Sequence, residues 1–464
     1  MKRFWLVMLS LGLVLAFSAS AMAVDVKFSG SFYAAGMYLD KVTLKDKIGN
    51  VAASAGVDPQ NGTSTAFYYQ RLRVQTDFIV SPGLKLVTRF DAMERIWGGA
   101  RGSATSTATG SVGTLAENEN IAFDWAYINY ASPIGTFDVG MMNDGSTGTI
   151  FGNSLAPAGR IKYSYTMGPA TLNASYTKVE DKSYSYVINT VTYTDSDRDK
   201  WGVEGVYAWK DGKAGVQVAY YRYANNKPQP TLPYTSTYNY INDYFLITPY
   251  AIAKIGPVAL QAELNYATGK AKRYDDALAA NDQTMDQISG WIDATADFGK
   301  VYFGGTFAYI SGDDPGTTDK LEGGTLHGGT DWNPSLIMFN QDRFYWAGAL
   351  GGYNSTTNNS PMSNAWFFQG RVGVKPVAAL DILASVSFAN ADKKPAGTPA
   401  SGTGVLNNAY GWELDVTGTY KITNNLSYML GAGYLWTGDY YQGYSQEQGL
   451  NNNYMLINKL TLTF

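Results

Sequence analysis

The 464-residue chain contains no cysteine, so no disulfide holds it, and its stability must come from burial and hydrogen bonding. It has a single histidine, His327, which leaves almost no imidazole for general-base or metal chemistry. Beyond the first two dozen residues no apolar run approaches the roughly 20 residues of a spanning helix. Mean hydropathy is slightly negative. Positive charge is also scarce: 35 Lys and Arg stand against 39 Asp and Glu. That balance excludes the basic surface that a nucleic acid requires as a partner.

What is abundant is glycine (50) and tyrosine (35), with 11 tryptophans, in short stretches of alternating character. Residues 1–23 read as a secretory signal: Lys2 and Arg3, an apolar run from Phe4 to Phe17, then Ala21-Met22-Ala23 as a cleavage site. Losing Lys2 and Arg3 takes the net charge from −4 to −6. The remainder, 24–464, shows no domain boundary. Val26, Phe28, Gly30 and Phe32 alternate with Lys27, Ser29 and Ser31. Leu426, Tyr428, Leu430, Ala432, Tyr434 and Trp436 do so against Ser427, Met429, Gly431 and Gly433. Period two with unlike faces is the mark of a strand between two solvents. Segment 243–255 carries Pro249 in mid-run, which weakens it as a strand.

About sixteen to eighteen such segments can be counted, depending on one weak hairpin, as suits a single-chain barrel. Tight turns such as Ser81-Pro82-Gly83, Gly168-Pro169 and Asp211-Gly212 alternate with long polar connections, including 41–64, 143–159 and 312–362. This parity predicts an all-β, transmembrane, antiparallel up-and-down β-barrel, with short periplasmic turns and long external loops. In hydrocarbon every backbone amide must pair within the protein, so the sheet must close. At this strand number closure leaves a water-filled lumen. Tyr410, Trp412, Tyr434 and Trp436 fall where an interfacial aromatic girdle is expected.

The last strand places Tyr454, Leu456, Leu460, Leu462 and Phe464 on one face and ends on the aromatic. It resembles the carboxy-terminal strand of bacterial outer-membrane barrels, which the barrel-assembly machinery reads as an insertion signal. The whole mature chain resembles Gram-negative general porins, and Phe123 to Asn143 is similar to their hairpin leading into the third loop. The resemblance implies passive diffusion of small hydrophilic solutes and ions, an outer-membrane location among lipid and lipopolysaccharide, and a homotrimer. It also implies a constriction loop, here starting at Asn143 and Asp144. The longer segment 312–362, with Trp332-Asn333-Pro334 and Leu336 to Phe339, is the alternative plug.

Inward parity assigns Arg71, Arg73, Lys85 and Arg89 to the channel wall, with Asp77, Asp91, Asp124, Asp138, Glu413 and Asp415 supplying the opposite sign. Either these charges set a transverse field or they pair and stiffen the wall. No cofactor, metal site or enzymatic role is expected. His327 sits in a loop, and Asp313 to Asp319 lacks the closing Glu of a calcium loop. The rival class is a substrate-specific channel or an exopolysaccharide exporter, with Tyr184, Tyr186, Tyr440, Tyr441 and Tyr444 available to stack on sugars. Neutralising Arg71, Arg73 and Arg89 together is expected to shift the reversal potential toward cations in planar bilayers; no shift would remove them from the lining.

Overall fold

The structure is a computed structural model. It describes residues 24–464 except 47–63, 99–120, 146–147, 153–155, 182–186, 189–190, 193–196, 227–239, 275–280, 325–330, 359, 398–403 and 445–448. The signal segment, His327, Tyr184 and Tyr186 lie outside the described residues.

Eighteen antiparallel strands form one closed sheet. They are β1 (Asp25–Leu39), β2 (Thr65–Ser81), β3 (Leu84–Ile96), β4 (Ile121–Ser132), β5 (Gly135–Asn143) and β6 (Pro157–Met167). Next come β7 (Ala170–Glu180), β8 (Arg198–Trp209), β9 (Gly212–Asn226), β10 (Tyr240–Ile255), β11 (Val258–Tyr274) and β12 (Gln283–Asp297). The last six are β13 (Val301–Ile310), β14 (Ala365–Val377), β15 (Leu380–Ala391), β16 (Ala409–Lys421), β17 (Leu426–Thr437) and β18 (Asn453–Thr463). Each pairs with the next in sequence, and β18 returns to β1 from Ser31↔Thr463 to Leu39↔Met455. Every connection at one end is a tight turn and every connection at the other is longer, so the parity of loop lengths in the sequence is real. The weak hairpin resolves in favour of eighteen strands. Segment 243–255 is a strand despite Pro249; its register with β11 runs from Ile247↔Tyr266 to Tyr250↔Glu263 across the proline.

Two faces of opposite character follow from the alternation. The outer face is apolar: Phe28, Ile128, Val203, Phe303, Trp412 and Leu430 are all exposed there. Such a surface is stable only against hydrocarbon. Trp412, Tyr434 and Trp436 stand on it near the loop end, as the girdle requires. Tyr410 does not. The β15–β16 ladder slips between Ala389↔Gly411 and Asn390↔Ala409, with Gly411 at φ 126°. That bulge turns Tyr410 inward, where it is buried against Phe339 and Tyr440.

The inner face changes character along its length, which simple alternation does not convey. On β1, Lys27, Ser29 and Ser31 occupy the turn half, while Tyr33, Ala35, Met37 and Leu39 in the loop half are buried. On β18, Lys459 and the threonines give way to buried Ile457 and Met455 toward the loops. These apolar patches join Leu44, Phe151, Trp332, Ile337, Met338 and Trp346 from the loops in one hydrophobic core inside the barrel.

The seam between the first and last strands is tight. Gly30 and Phe464 exchange backbone hydrogen bonds of 2.8 and 3.1 Å. A Cβ on Gly30 would meet the carbonyl oxygen of Arg73 and come within 2.8 Å of the Phe464 ring. Gly30→Val is therefore expected to cost about 2 kcal/mol through overpacking. The measurement is the urea midpoint of the protein refolded into detergent or liposomes, with heat-modifiable migration as the index of the folded barrel.

Candidate channel constriction

Among the described residues two loops run across the inside of the barrel, and their roots lie on opposite walls. The first leaves β5 at Asn143. Its Oδ1 accepts the N–H of Gly145 (3.0 Å) and of Ala156 (3.0 Å), pinching the two ends of the loop together. Asp144 follows, buried among cations: Lys200 Nζ lies 3.2 Å and Arg160 Nε 3.5 Å from it, and Thr177 Oγ1 donates at 2.8 Å. The described tip then reaches β11. Thr149 donates its N–H (2.9 Å) and its hydroxyl (2.6 Å) to Glu263 Oε2. Phe151 stacks parallel on Trp291 of β12 at 5.7 Å. Gly148, at φ 115°, permits the close pass: a Cβ there would lie 2.9 Å from the Tyr250 ring. The loop is thus a chord between β5 and β11–β12.

The second loop joins β13 to β14, and residues 331–347 of it lie inside. Trp332 meets Phe151 at 5.2 Å and Phe367 at 5.6 Å, so the two in-folded loops touch. Three successive backbone N–H groups are then captured by the wall. Leu336 donates to Asp415 Oδ2 (3.2 Å), Ile337 to Glu413 Oε1 (2.6 Å) and Met338 to Glu413 Oε2 (2.7 Å). Each bond satisfies a backbone amide that would otherwise be buried without a partner. Room for Leu336 exists because β17 presents glycines inward; Cβ atoms at Gly431 and Gly433 would lie 3.3 and 3.2 Å from its side chain. A short helix, α1 (Gln341–Ala347), follows, N-capped by Asn340, whose side chain accepts from Arg343 N at 2.8 Å.

Arg343 is completely buried. It donates to the carbonyls of Ile337 (3.0 Å), Gly348 (2.5 Å) and Asn358 (3.4 Å). Loss of hydration pushes its guanidinium down to about 10. The Ile337 peptide is therefore held at both ends, its N–H by a carboxylate and its C=O by a guanidinium. Trp346 closes the span against Tyr69 of β2 at 4.6 Å.

What remains between these segments and the wall of β1–β5 is a polar cavity of about 480 Å³, lined among others by Arg71, Arg73, Arg89, Asp91, Glu94 and Asp124 from the barrel. Asp331, Asn333, Gln341, Asp342 and Tyr345 line it from the in-folded side. Arg73 grips Asp91 through Nε and Nη2, both at 2.6 Å. Arg71 lies 3.4 Å from Glu94. The β3–β4 ladder slips between Arg89 and Phe90, so Asp124 (3.1 Å) and the ring of Trp125 (3.6 Å) both reach the Arg89 guanidinium. Burial raises the Asp331 carboxyl above its usual range, while the facing arginines pull it back.

The structure thus gathers five of the ten wall charges named from sequence: Arg71, Arg73, Arg89, Asp91 and Asp124. Lys85 and Asp77 pair with each other at 2.7 Å nearer the turn end, and Asp138 accepts from Asn129 at 2.6 Å. The placement of Glu413 and Asp415 is corrected: they face inward but are buried beneath the second in-folded segment, because its amides need acceptors there. Asn143 and Asp144 stand at the root of an inward loop, and residues 331–347 of the segment 312–362 fold in as well, so both narrow the lumen. Tyr440 and Tyr441 are buried in packing rather than offered to a solute. Alternation does not point to Glu94, Asp331 or Asp342, since two belong to the in-folded segment and Glu94 follows a bulge at Met93 (φ 54°), whereas Glu263 keeps the regular inward parity of β11 and could have been found by it. Tyr454, Leu460, Leu462 and Phe464 face outward and are exposed. No metal-holding cluster of His, Cys, Asp or Glu occurs among the described residues.

No protein-family model and no curated protein matches the sequence. Among solved structures the chain is similar to the outer membrane channel DcaP of Acinetobacter baumannii, at 12% identity and a TM-score of 0.44, over 96% of this chain and 99% of that one. It is also similar to Pseudomonas aeruginosa OpdQ, at 11% identity and 0.48, over 95% and 97%. A BenF-like porin from Pseudomonas fluorescens Pf-5 is similar at 12% and 0.45, over 94% and 99%.

Replacing Glu413 by Ala strands two buried amides at about 1–3 kcal/mol each, which should loosen the second segment and leave the wall intact. Faster hydrogen exchange at Ile337 and Met338, with unchanged exchange in β16–β18, is the expected result.

Proposed function

We propose that this chain is an outer-membrane channel of porin type, through which small hydrophilic solutes and ions diffuse passively. The observation that carries this reading is a closed wall with an apolar outer face and an interior that two loops narrow to a charged cavity. A closed sheet satisfies every strand amide in hydrocarbon, and a charged aperture keeps water and polar solutes in the passage. A cavity of about 480 Å³ suits solutes of the size of a monosaccharide or an amino acid. The secretory signal expected over residues 1–23 supports export, and the outward apolar face supports residence in lipid and lipopolysaccharide.

The chain performs no catalysis in this reading. Many of its inward carboxylates are engaged by basic side chains, by amide and hydroxyl donors or by backbone N–H groups, an arrangement that holds structure in place. Recognition of the last strand by the barrel-assembly machinery rests on the outward row from Tyr454 to Phe464, and a trimer rests on the resemblance to general porins alone.

The test is swelling of liposomes containing the refolded protein in a graded series of neutral sugars and amino acids. Monosaccharides are expected to enter, with a steep decline for disaccharides and larger solutes. Absence of swelling with every solute would remove the transport reading.

A further inference from the structure

At the turn end of β13–β16 the inner wall holds another cavity, of about 420 Å³, whose lining includes no residue of the in-folded loops. Tyr302 of β13 reaches across β14 and donates its hydroxyl to Asp381 Oδ1 on β15 at 2.8 Å. The reach is possible because its partner in register is Gly373, where any Cβ would overlap the ring. Asp381 stands opposite Thr419 of β16, and Lys421 lies two residues further along the same face. An acid and a long amine placed diagonally on adjacent strands are near enough to pair. Here they do not. Among the described residues Lys421 has no carboxylate within ion-pair distance and Asp381 no basic side chain, although both line the cavity.

The remaining charges nearby are already engaged. Lys375 bonds Asp297 at 3.0 Å and lies 4.9 Å from the centre of the Tyr302 ring. Arg371, the preceding inward cation of β14, grips Asp293 through two nitrogens at 2.7 and 2.8 Å. The cavity therefore keeps one free ammonium and one carboxylate held back by a hydroxyl, with a gap between them.

Resting on the channel reading above, we propose that this cavity binds small zwitterions of the α-amino acid type at the turn-end mouth of the passage. The carboxylate of the solute bonds Lys421, and its ammonium bonds the Asp381 oxygen that Tyr302 does not use. Tyr302 is a positioning residue: by holding Asp381 it keeps the acid from closing on Lys421, and the solute completes the pair in their place. Leu383 and the Tyr302 ring offer apolar surface to a short side chain. A solute with a single charge satisfies one end of the site, and an uncharged solute satisfies neither.

The experiment titrates the full chain, refolded in detergent, with L-alanine and with lactamide, an uncharged molecule of similar size, and follows binding by saturation-transfer NMR. L-Alanine is expected to bind about fivefold more tightly than lactamide. Asp381→Asn and Lys421→Gln, each checked for the folded barrel by heat-modifiable migration, should each abolish that preference. Tyr302→Phe removes no charge, yet it should reduce the preference about threefold by letting Asp381 turn toward Lys421. Equal binding of the two probes by the wild type, or a preference that persists in any of the three variants, would overturn the proposal. Because binding is read in detergent, it is separate from conduction: liposomes that fail to swell with every solute would remove the channel reading, whatever the titration shows.

Discussion

The constraint on which the structure depends is that a backbone amide in hydrocarbon has no water to bond with. A strand can cross such a medium only if both its edges are occupied, so a sheet that crosses must have no edge. The pairing of β18 with β1 meets that requirement, and the two in-folded segments are arranged inside the ring it completes. The outer face is monotonous in consequence, an apolar surface interrupted near the strand ends by aromatic rings. The inner face is free to vary, and that is where the chain has placed its chemistry.

Closing eighteen strands creates a new problem, because a ring of that circumference encloses more space than a selective passage can use. Two loops, one rooted at β5 and the other between β13 and β14, take up the excess. They are held by different physics. The first is fixed at its root by a carboxylate among cations and at its tip by a hydroxyl and an amide on Glu263. The second is held by its own backbone, whose amides bond wall carboxylates and whose carbonyls bond Arg343. Their mutual contact at Phe151 and Trp332 is apolar and aromatic, and it is seated against Trp291 of β12 and Phe367 of β14. A polar gap lined by charged side chains is left along β1–β5.

Much of this was legible before any coordinates. Period-two alternation and the sorting of long and short connections give the strand number to within one hairpin, and they identify which face of each strand meets lipid. Bulges escape that reading, since a single slipped residue reverses facing without altering composition, as at Tyr410 and Glu94. The destination of Glu413 and Asp415 was also hidden, because an inward acid on a strand looks the same whether it meets water or a loop. One signal was present and could have been used. The inward residues of β1 change from Ser29 and Ser31 to Ala35, Met37 and Leu39, and such a switch on a water-facing wall announces that something dry is docked against it.

The division of labour between ring and loops has a consequence for how such a molecule changes over generations. Residues 331–347 supply the acids beside the passage but no bond in the sheet, so mutations there escape the demands of insertion and assembly. The contact of Phe151 with Trp332 limits that freedom, because the two tongues lean on each other as halves of an arch do on a keystone. Shortening either would leave its partner without an abutment, and the width of the aperture is therefore a joint property that the two segments can alter only in concert.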